Sequence, residues 1–391
     1  MKITGIRTTP VAVPFTGHEL WAFGGRRGLI SIVVEIDTDE GVVGLGEAPA
    51  YPSADIVLAV FDSLGGLVIG EDPLRIERVV RKIDAVGTWH HVRATSPAIA
   101  AVEMACWDIL GKLSGQPLVN LLGGRIRDAV PYIWYVVRDT PESVKASARA
   151  GVEQGFETLY VKVGWGDPKA DIEVVEAVRE GAGPGPRIRI DANEAWTTAA
   201  TLRIVSELEH LDLEFVEQPV SGRNLTEMAY LRSRLGIPLL ANEATWTQQD
   251  VLAAVKTGAA DAISVDNQMD GGLLNMKRSA GIAEAGGFPV VKHSLGELGI
   301  ATMAAAHAIA STANFVYANQ SYVALLADDV LEGGPLTYRS GRLRIPDGPG
   351  LGVALDADKL AEHAERYRKQ GSKMGFHDPA RTIDTPLIPK F

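Results

Sequence analysis

Three acids stand at equal intervals in this chain. Asp191 closes the run Arg187-Ile-Arg-Ile-Asp191, Glu217 closes Glu214-Phe-Val-Glu217, and Glu243 follows Pro238-Leu-Leu-Ala-Asn242, with 26 residues between each acid and the next. A strand of about five residues, a helix and two loops take up roughly that length. Three successive βα units therefore bring one carboxylate each to the same end of a parallel sheet. One such acid is an ordinary helix cap; three in register ask for a shared role. Converging carboxylate oxygens suit a hard cation, and Mg²⁺ takes few carboxylates and completes its shell with water and substrate oxygens.

Other residues fall at the same end. Lys162 lies two after Tyr160, so both side chains point to one face of a strand. A lysine beside a dication has its pKa lowered and can act as a base. Asp266 and His293 end two later strands. A carboxylate beside an imidazole fixes its tautomer and raises its basicity. Together these groups describe removal of a proton α to a carboxylate. A metal binds that carboxylate, and Lys162 and the His293–Asp266 pair approach the α-carbon from opposite faces.

The elements that must position them alternate. Strand candidates are 130–135, 158–163, 187–190, 214–216, 238–241, 262–265, 289–291 and 314–316. Helical patterns fill the intervals: 141–154, 170–180, 198–208, 225–235, 246–257, 273–285 and 298–310. Repeated βα units imply a parallel sheet that can close into a TIM-type barrel, whose active sites lie at the C-terminal strand ends. Residues 1–15 and 29–47 read as an antiparallel meander, and 54–124 as helices. Between the first strands, Phe15 to Arg27 reads as a loop, a lid carrying His18, Trp21 and Arg26 over an anionic substrate. Trp89, His90 and His91 read as a surface segment, because adjacent histidines in a loop need not face one site.

The 391 residues exceed one average domain and fit a barrel plus a smaller unit. The expected division is a capping domain at 1–125, a barrel at 126–325 and a segment at 326–391 that returns to the cap. A net charge of −11 without basic clusters argues against nucleic acid. Cys106 is the single cysteine, which excludes an internal disulfide and fits a reducing compartment. No apolar run reaches a membrane span and no signal peptide is evident. The expectation is a cytoplasmic protein with a small-molecule partner and no membrane contact.

The chain resembles the enolase superfamily, and within it the mandelate racemase/muconate lactonizing enzyme group. The marks are Ala105-Cys-Trp-Asp108-Ile-Leu-Gly111-Lys112 through Leu121-Leu-Gly-Gly124, Val161-Lys162-Val-Gly164, Asp191-Ala-Asn193, Val216-Glu217-Gln-Pro219, Asp266 followed by Gly271-Gly272, and Pro346-Asp-Gly-Pro-Gly350-Leu-Gly352. The resemblance implies an α/β fold, a modified (β/α)₇β barrel with an α+β capping domain. It also implies Mg²⁺ on Asp191, Glu217 and Glu243, Lys162 as base, and Asp266–His293 as the dyad of the mandelate racemase-like branch. Dimers or octamers are the family's usual assemblies. Three departures stand out. The usual Lys-x-Lys is Tyr160-x-Lys162. The third ligand sits in Asn242-Glu243, where the interval favours Glu243. Tyr317 stands where the branch often has a glutamate.

The first expectation is a Mg²⁺-dependent lyase that dehydrates a sugar acid, with Asn193, Asn319, Gln320 and the lid residues reading its hydroxyls. Its alternative is a racemase, epimerase or sugar-lactone cycloisomerase using the same intermediate. A non-catalytic binding protein on a retained barrel is the third, and the complete base, dyad and ligand set argues against it.

Overall fold

A computed structural model describes residues 1–51, 53–87 and 92–370; Trp89, His90 and His91 lie outside the described residues. The chain opens with three antiparallel strands, β1 (Ile3–Trp21), β2 (Gly24–Thr38) and β3 (Val43–Pro49). Helices α1 (Ala54–Val68), α2 (Ile76–Gly87), α3 (Val92–Ser114) and the short α4 (Leu118–Leu121) follow. Long α3 crosses the sheet closely: a Cβ on Gly44 or Gly46 would lie 2.2 or 2.0 Å from the carbonyl oxygens of Ala105 and Ala101. Glycine is needed there for close approach, not for its dihedrals.

The lid segment is strand, not loop. Pairing continues to Leu20↔Gly25 and Trp21↔Gly24, past an irregularity between Pro14 and Glu19. The segment read as a loop is thus the distal half of one long hairpin, turning at Ala22-Phe23.

Next come β4 (Ala129–Pro131), β5 (Trp134–Val136), α5 (Pro141–Glu153), β6 (Thr158–Lys162), α6 (Pro168–Ala182), β7 (Arg187–Asp191), α7 (Thr198–Leu208), β8 (Leu213–Glu217), α8 (Leu225–Arg232), β9 (Leu239–Ala241), α9 (Gln248–Thr257), β10 (Ala262–Val265), α10 (Leu273–Ala285), β11 (Val290–Lys292) and α11 (Gly299–Ala310). β5 to β11 form one parallel sheet in sequence order. The expected first barrel strand is split: β4 pairs instead with β12 (Arg342–Arg344), antiparallel. The expected strand 314–316 does not form. Its place is taken by Asn319, which bridges to Tyr132 and accepts from Lys292 N at 2.9 Å through its side chain. Gln320 N bonds Lys292 O at 2.9 Å and Ile133 N bonds Asn319 O at 3.0 Å, so this segment links the two edge strands, β11 and β5.

Two glutamates of the cap hold the barrel helices that lack local caps. Glu103 on α3 accepts from Leu273 N at 2.7 Å and Leu274 N at 2.9 Å at the start of α10. Glu47 on β3 accepts from Leu298 N at 2.6 Å and Ala301 N at 2.9 Å at the start of α11. The N-cap residues, Gly272 and Leu298, make no side-chain cap bond themselves, so these distant carboxylates satisfy amides otherwise left unpaired. Gly272 has φ +132°, and a Cβ there would meet Glu103 at 2.6 Å; this is the physical sense of the Gly271-Gly272 pair. Helix α12 (Ala357–Gln370) returns to pack on β1.

Candidate active site

The parallel register sets the site. Lys162 pairs across to Asp191, Asp191 to Glu217, and Glu217 to Leu240, so the first three form a row at adjacent strand ends. Lys162 Nζ and Tyr160 Oη both donate to Asp191 Oδ2 at 2.5 Å. Gln320 Nε2 donates to both oxygens of Glu217 at 2.9 and 2.8 Å, and Asn242 Nδ2 to Oε1 at 2.8 Å. Asn193 Nδ2 donates to Glu243 Oε1 at 2.8 Å. The turns after two of these strands are strained, with φ of +45° at Asn193 and +32° at Gln218, as is common where a backbone must aim functional groups.

A cavity of about 270 Å³ opens over this row. Lys162, Asn193, Asn242, Glu243 and His293 line it from the barrel, and Glu19, Trp21, Arg26 and Tyr51 from the cap. Trp246, Met269, Leu295 and Tyr322 add apolar wall. Arg26 is buried, bonds Glu19 and Tyr51, and sits over the Tyr322 ring at 4.8 Å. Glu19 Oε1 also accepts from Tyr322 Oη at 2.6 Å. The hairpin tip is therefore tied to the barrel mouth.

The acids of the site oppose one another's ionisation. Burial and the nearby Asp191 push Glu217 up to about 8; burial, Asp191 and Glu194 push Glu243 to about 8. Burial opposes the charge on Lys162, but Asp191 and Glu217 outweigh it and its pKa is raised. His293 is held well below the ordinary histidine range by burial, then by Lys162 and Lys292.

The donor chemistry fits Mg²⁺. Glu243 Oε2 and Asn193 Oδ1 are buried without hydrogen-bond partners, and burial and mutual repulsion oppose ionisation of the crowded acids, a cost that a hard dication would relieve. As they stand, no three His, Cys, Asp or Glu groups among the described residues are gathered to hold a metal. Each carboxylate is engaged by a neighbouring Lys, Tyr, Gln or Asn side chain. Asp191, Glu217 and Glu243 could hold the ion, with Asn242 beside Glu217.

Not every expected residue arrives. Asp266 and His293 are neighbours, since His293 N donates to Val265 O at 2.9 Å. Their side chains do not hydrogen-bond: His293 Nδ1 has no hydrogen-bond partner, and Asp266 Oδ2 is ion-paired with Lys292 Nζ at 3.4 Å. Tyr317 is below the site, edge-on to Phe215 at 4.8 Å among Leu240, Ala262 and Val291 inside the barrel. Asn319 has its side chain committed to backbone partners at Lys292, Pro131 and Tyr317. His18 is half-buried on β1 and does not line the cavity. Trp21 and Arg26 do. Sequence reasoning missed Glu19, Tyr51, Trp246, Tyr322, Lys292 and Glu297. The signal available for Lys292 was a lysine closing an apolar strand directly before His293.

A curled parallel sheet that brings a buried lysine and a histidine to one cavity beside carboxylates at its strand ends has the groups of an acid–base site. Residues 4–123 match the family described as "Mandelate racemase / muconate lactonizing enzyme, N-terminal domain", and residues 143–359 match "Enolase C-terminal domain-like". The chain belongs to the mandelate racemase/muconate lactonizing enzyme group of the enolase superfamily. It is 29% identical to an N-succinyl-L-Arg/Lys racemase of Bacillus cereus, over 93% of this chain and 98% of the relative. It is 32% identical to a probable glucarate dehydratase of Streptomyces coelicolor, over 92% of each. An enolase structure from Pseudomonas fluorescens with bound magnesium, potassium and tartrate superposes with a TM-score of 0.91 at 28% identity, covering 100% of this chain and 99% of that one. No helix among the described residues is long and apolar enough to cross a membrane.

Proposed function

We propose that this enzyme removes the proton α to the carboxylate of a hydroxylated organic acid, in a Mg²⁺-dependent reaction, and that the net reaction is loss of water from a sugar acid. The observation that carries the reading is that Lys162, at the end of β6, and His293, just past the end of β11, line one cavity. A dication bound by Asp191, Glu217 and Glu243 supplies Lewis-acid charge for the substrate carboxylate. The chain's own groups do the rest. One of the two bases takes the α-proton, and the other, in its protonated form, gives a proton to the departing hydroxide. Asn193, Asn242 and Ser294 offer hydroxyl partners, and Trp21 and Trp246 offer faces for the carbon skeleton. The hairpin tip excludes water.

The second reading is racemisation or epimerisation, with proton removal by one base and return by the other. The relatives' names, one a racemase and one a dehydratase, support both. Incubation in D₂O with Mg²⁺ and a panel of sugar acids and lactones separates them by mass and proton NMR. A product lighter by one water supports the lyase. Deuterium gain at the α-carbon without that loss supports the isomerase. No exchange with any acid removes the proton-abstraction reading.

A further inference from the structure

Beside His293 lies a buried group of charges that proton abstraction leaves partly unused. Lys292, Asp266 and Glu297 are each fully buried. Lys292 Nζ pairs with Glu297 and lies 3.4 Å from Asp266 Oδ2. Ser294 Oγ donates to the second Glu297 oxygen at 2.7 Å. Asp266 Oδ1 is fixed by Gln268 N at 2.6 Å and Met269 N at 3.0 Å. That leaves Asp266 Oδ2 and His293 Nδ1, on adjacent strand ends, as buried polar atoms without hydrogen bonds. A buried group left unmatched is costly, and these two are complementary, an acceptor and a ring nitrogen able to carry a proton. Lys292 bears on the same acceptor oxygen.

We propose that Lys292, clamped by Glu297, is a positioning residue for His293: it anchors the Asp266 carboxylate at the flank of the imidazole and competes for the oxygen that His293 Nδ1–H would engage, so setting how readily the ring takes up a proton. This rests on the reading of His293 as an acid–base group. The charged groups that bear on His293 are Lys162 from β6 and Lys292 on its own segment; Asp266, at the end of β10 next to the strand that carries His293, and Glu297 are the two partners of Lys292. Glu297 in turn faces the phenols of Tyr132 and Tyr338, and Asp270 accepts from Asp266 N at 3.2 Å.

The test is an NMR titration of His293 in the Mg²⁺-loaded protein with labelled histidine, assigned by His293→Asn. Replacing the pair together, Lys292→Met with Glu297→Gln, keeps the buried charge balanced. The expected result is that the pH at which His293 takes up a proton rises by about one unit or more. In an Asp266→Asn background the same pair change leaves it unmoved, as a route through Asp266 requires. An unmoved midpoint with Asp266 present, or an equal rise without it, overturns the proposal. If the paired variant does not fold, Glu297→Gln alone frees Lys292 to lean on Asp266, and the midpoint falls; a rise or no change overturns the proposal. The titration needs no substrate, so failure of the proton-abstraction reading shows separately, as absence of exchange in D₂O.

Discussion

Lys162 is pinned to Asp191 Oδ2 together with Tyr160, so its amine is already aimed along the row of strand ends. Lys162→Ala is expected to lower turnover by a factor of roughly a thousand or more, with an unchanged circular dichroism spectrum, because a positioned acid–base group contributes on that scale. Substantial residual turnover would take Lys162 out of the reacting pair. The two candidates for the third oxygen ligand differ in what they touch. Glu243 has a buried free oxygen, whereas Asn242 donates to Glu217. Glu243→Gln should therefore weaken Mg²⁺ binding in calorimetry by roughly a hundredfold or more, and Asn242→Ala by about tenfold, the usual scale for a supporting neighbour. The opposite ranking would give the ligand role to Asn242.

At the scale of elements, helix α10 starts on Gly272, whose missing side chain is replaced by Glu103 of α3. Glu103→Ala leaves two amides of that helix and the Trp107 indole without their partner. The expected loss is about 2–3 kcal/mol in urea unfolding. Activity should fall as well, because the turn before α10 carries Met269 at the cavity. A loss under about 0.5 kcal/mol would mean that water replaces the carboxylate at no cost.

The whole molecule carries buried acids between cap and barrel. Burial pushes Glu47, Glu103 and Asp329 each up to about 7, against the backbone amides that each accepts. The unfolded chain gives up these protons near the ordinary carboxylate range, and the folded chain keeps them to about 7. Unfolding between those limits releases protons, so stability falls as pH rises through the window. Glu71, Glu77 and Asp328 have lowered values, and they change stability only below it. The urea midpoint should be higher at pH 5 than at pH 8, by on the order of a few kcal/mol in unfolding free energy. A flat or rising profile would show that the amide donors, not burial, control these carboxylates.

The strand–helix alternation from residue 130 and the 26-residue spacing of Asp191, Glu217 and Glu243 were legible in the sequence, because short strands and amphipathic helices write local periodicity and a parallel register repeats it. Helices α7 and α10 begin and end where the pattern puts them. Three matters were decided only by tertiary contacts. The segment from Phe15 to Arg27 carries Gly and polar residues like a loop, yet it pairs as a hairpin because its tip is tied to the barrel through Arg26, Glu19 and Tyr322. Tyr317 and Asn319 share the eighth-strand position in sequence, but where that strand fails to form, one side chain fills the barrel interior and the other substitutes for a missing ladder bond. The partner of His293 was also beyond reach of spacing: Asp266 sits where expected, but its free oxygen is shared with a lysine that only folding buries beside it. Spacing along a chain fixes which residues reach the same end of a sheet. Which of them touch is set by rotamers and by competing charges, and those exist only once the chain has closed around them.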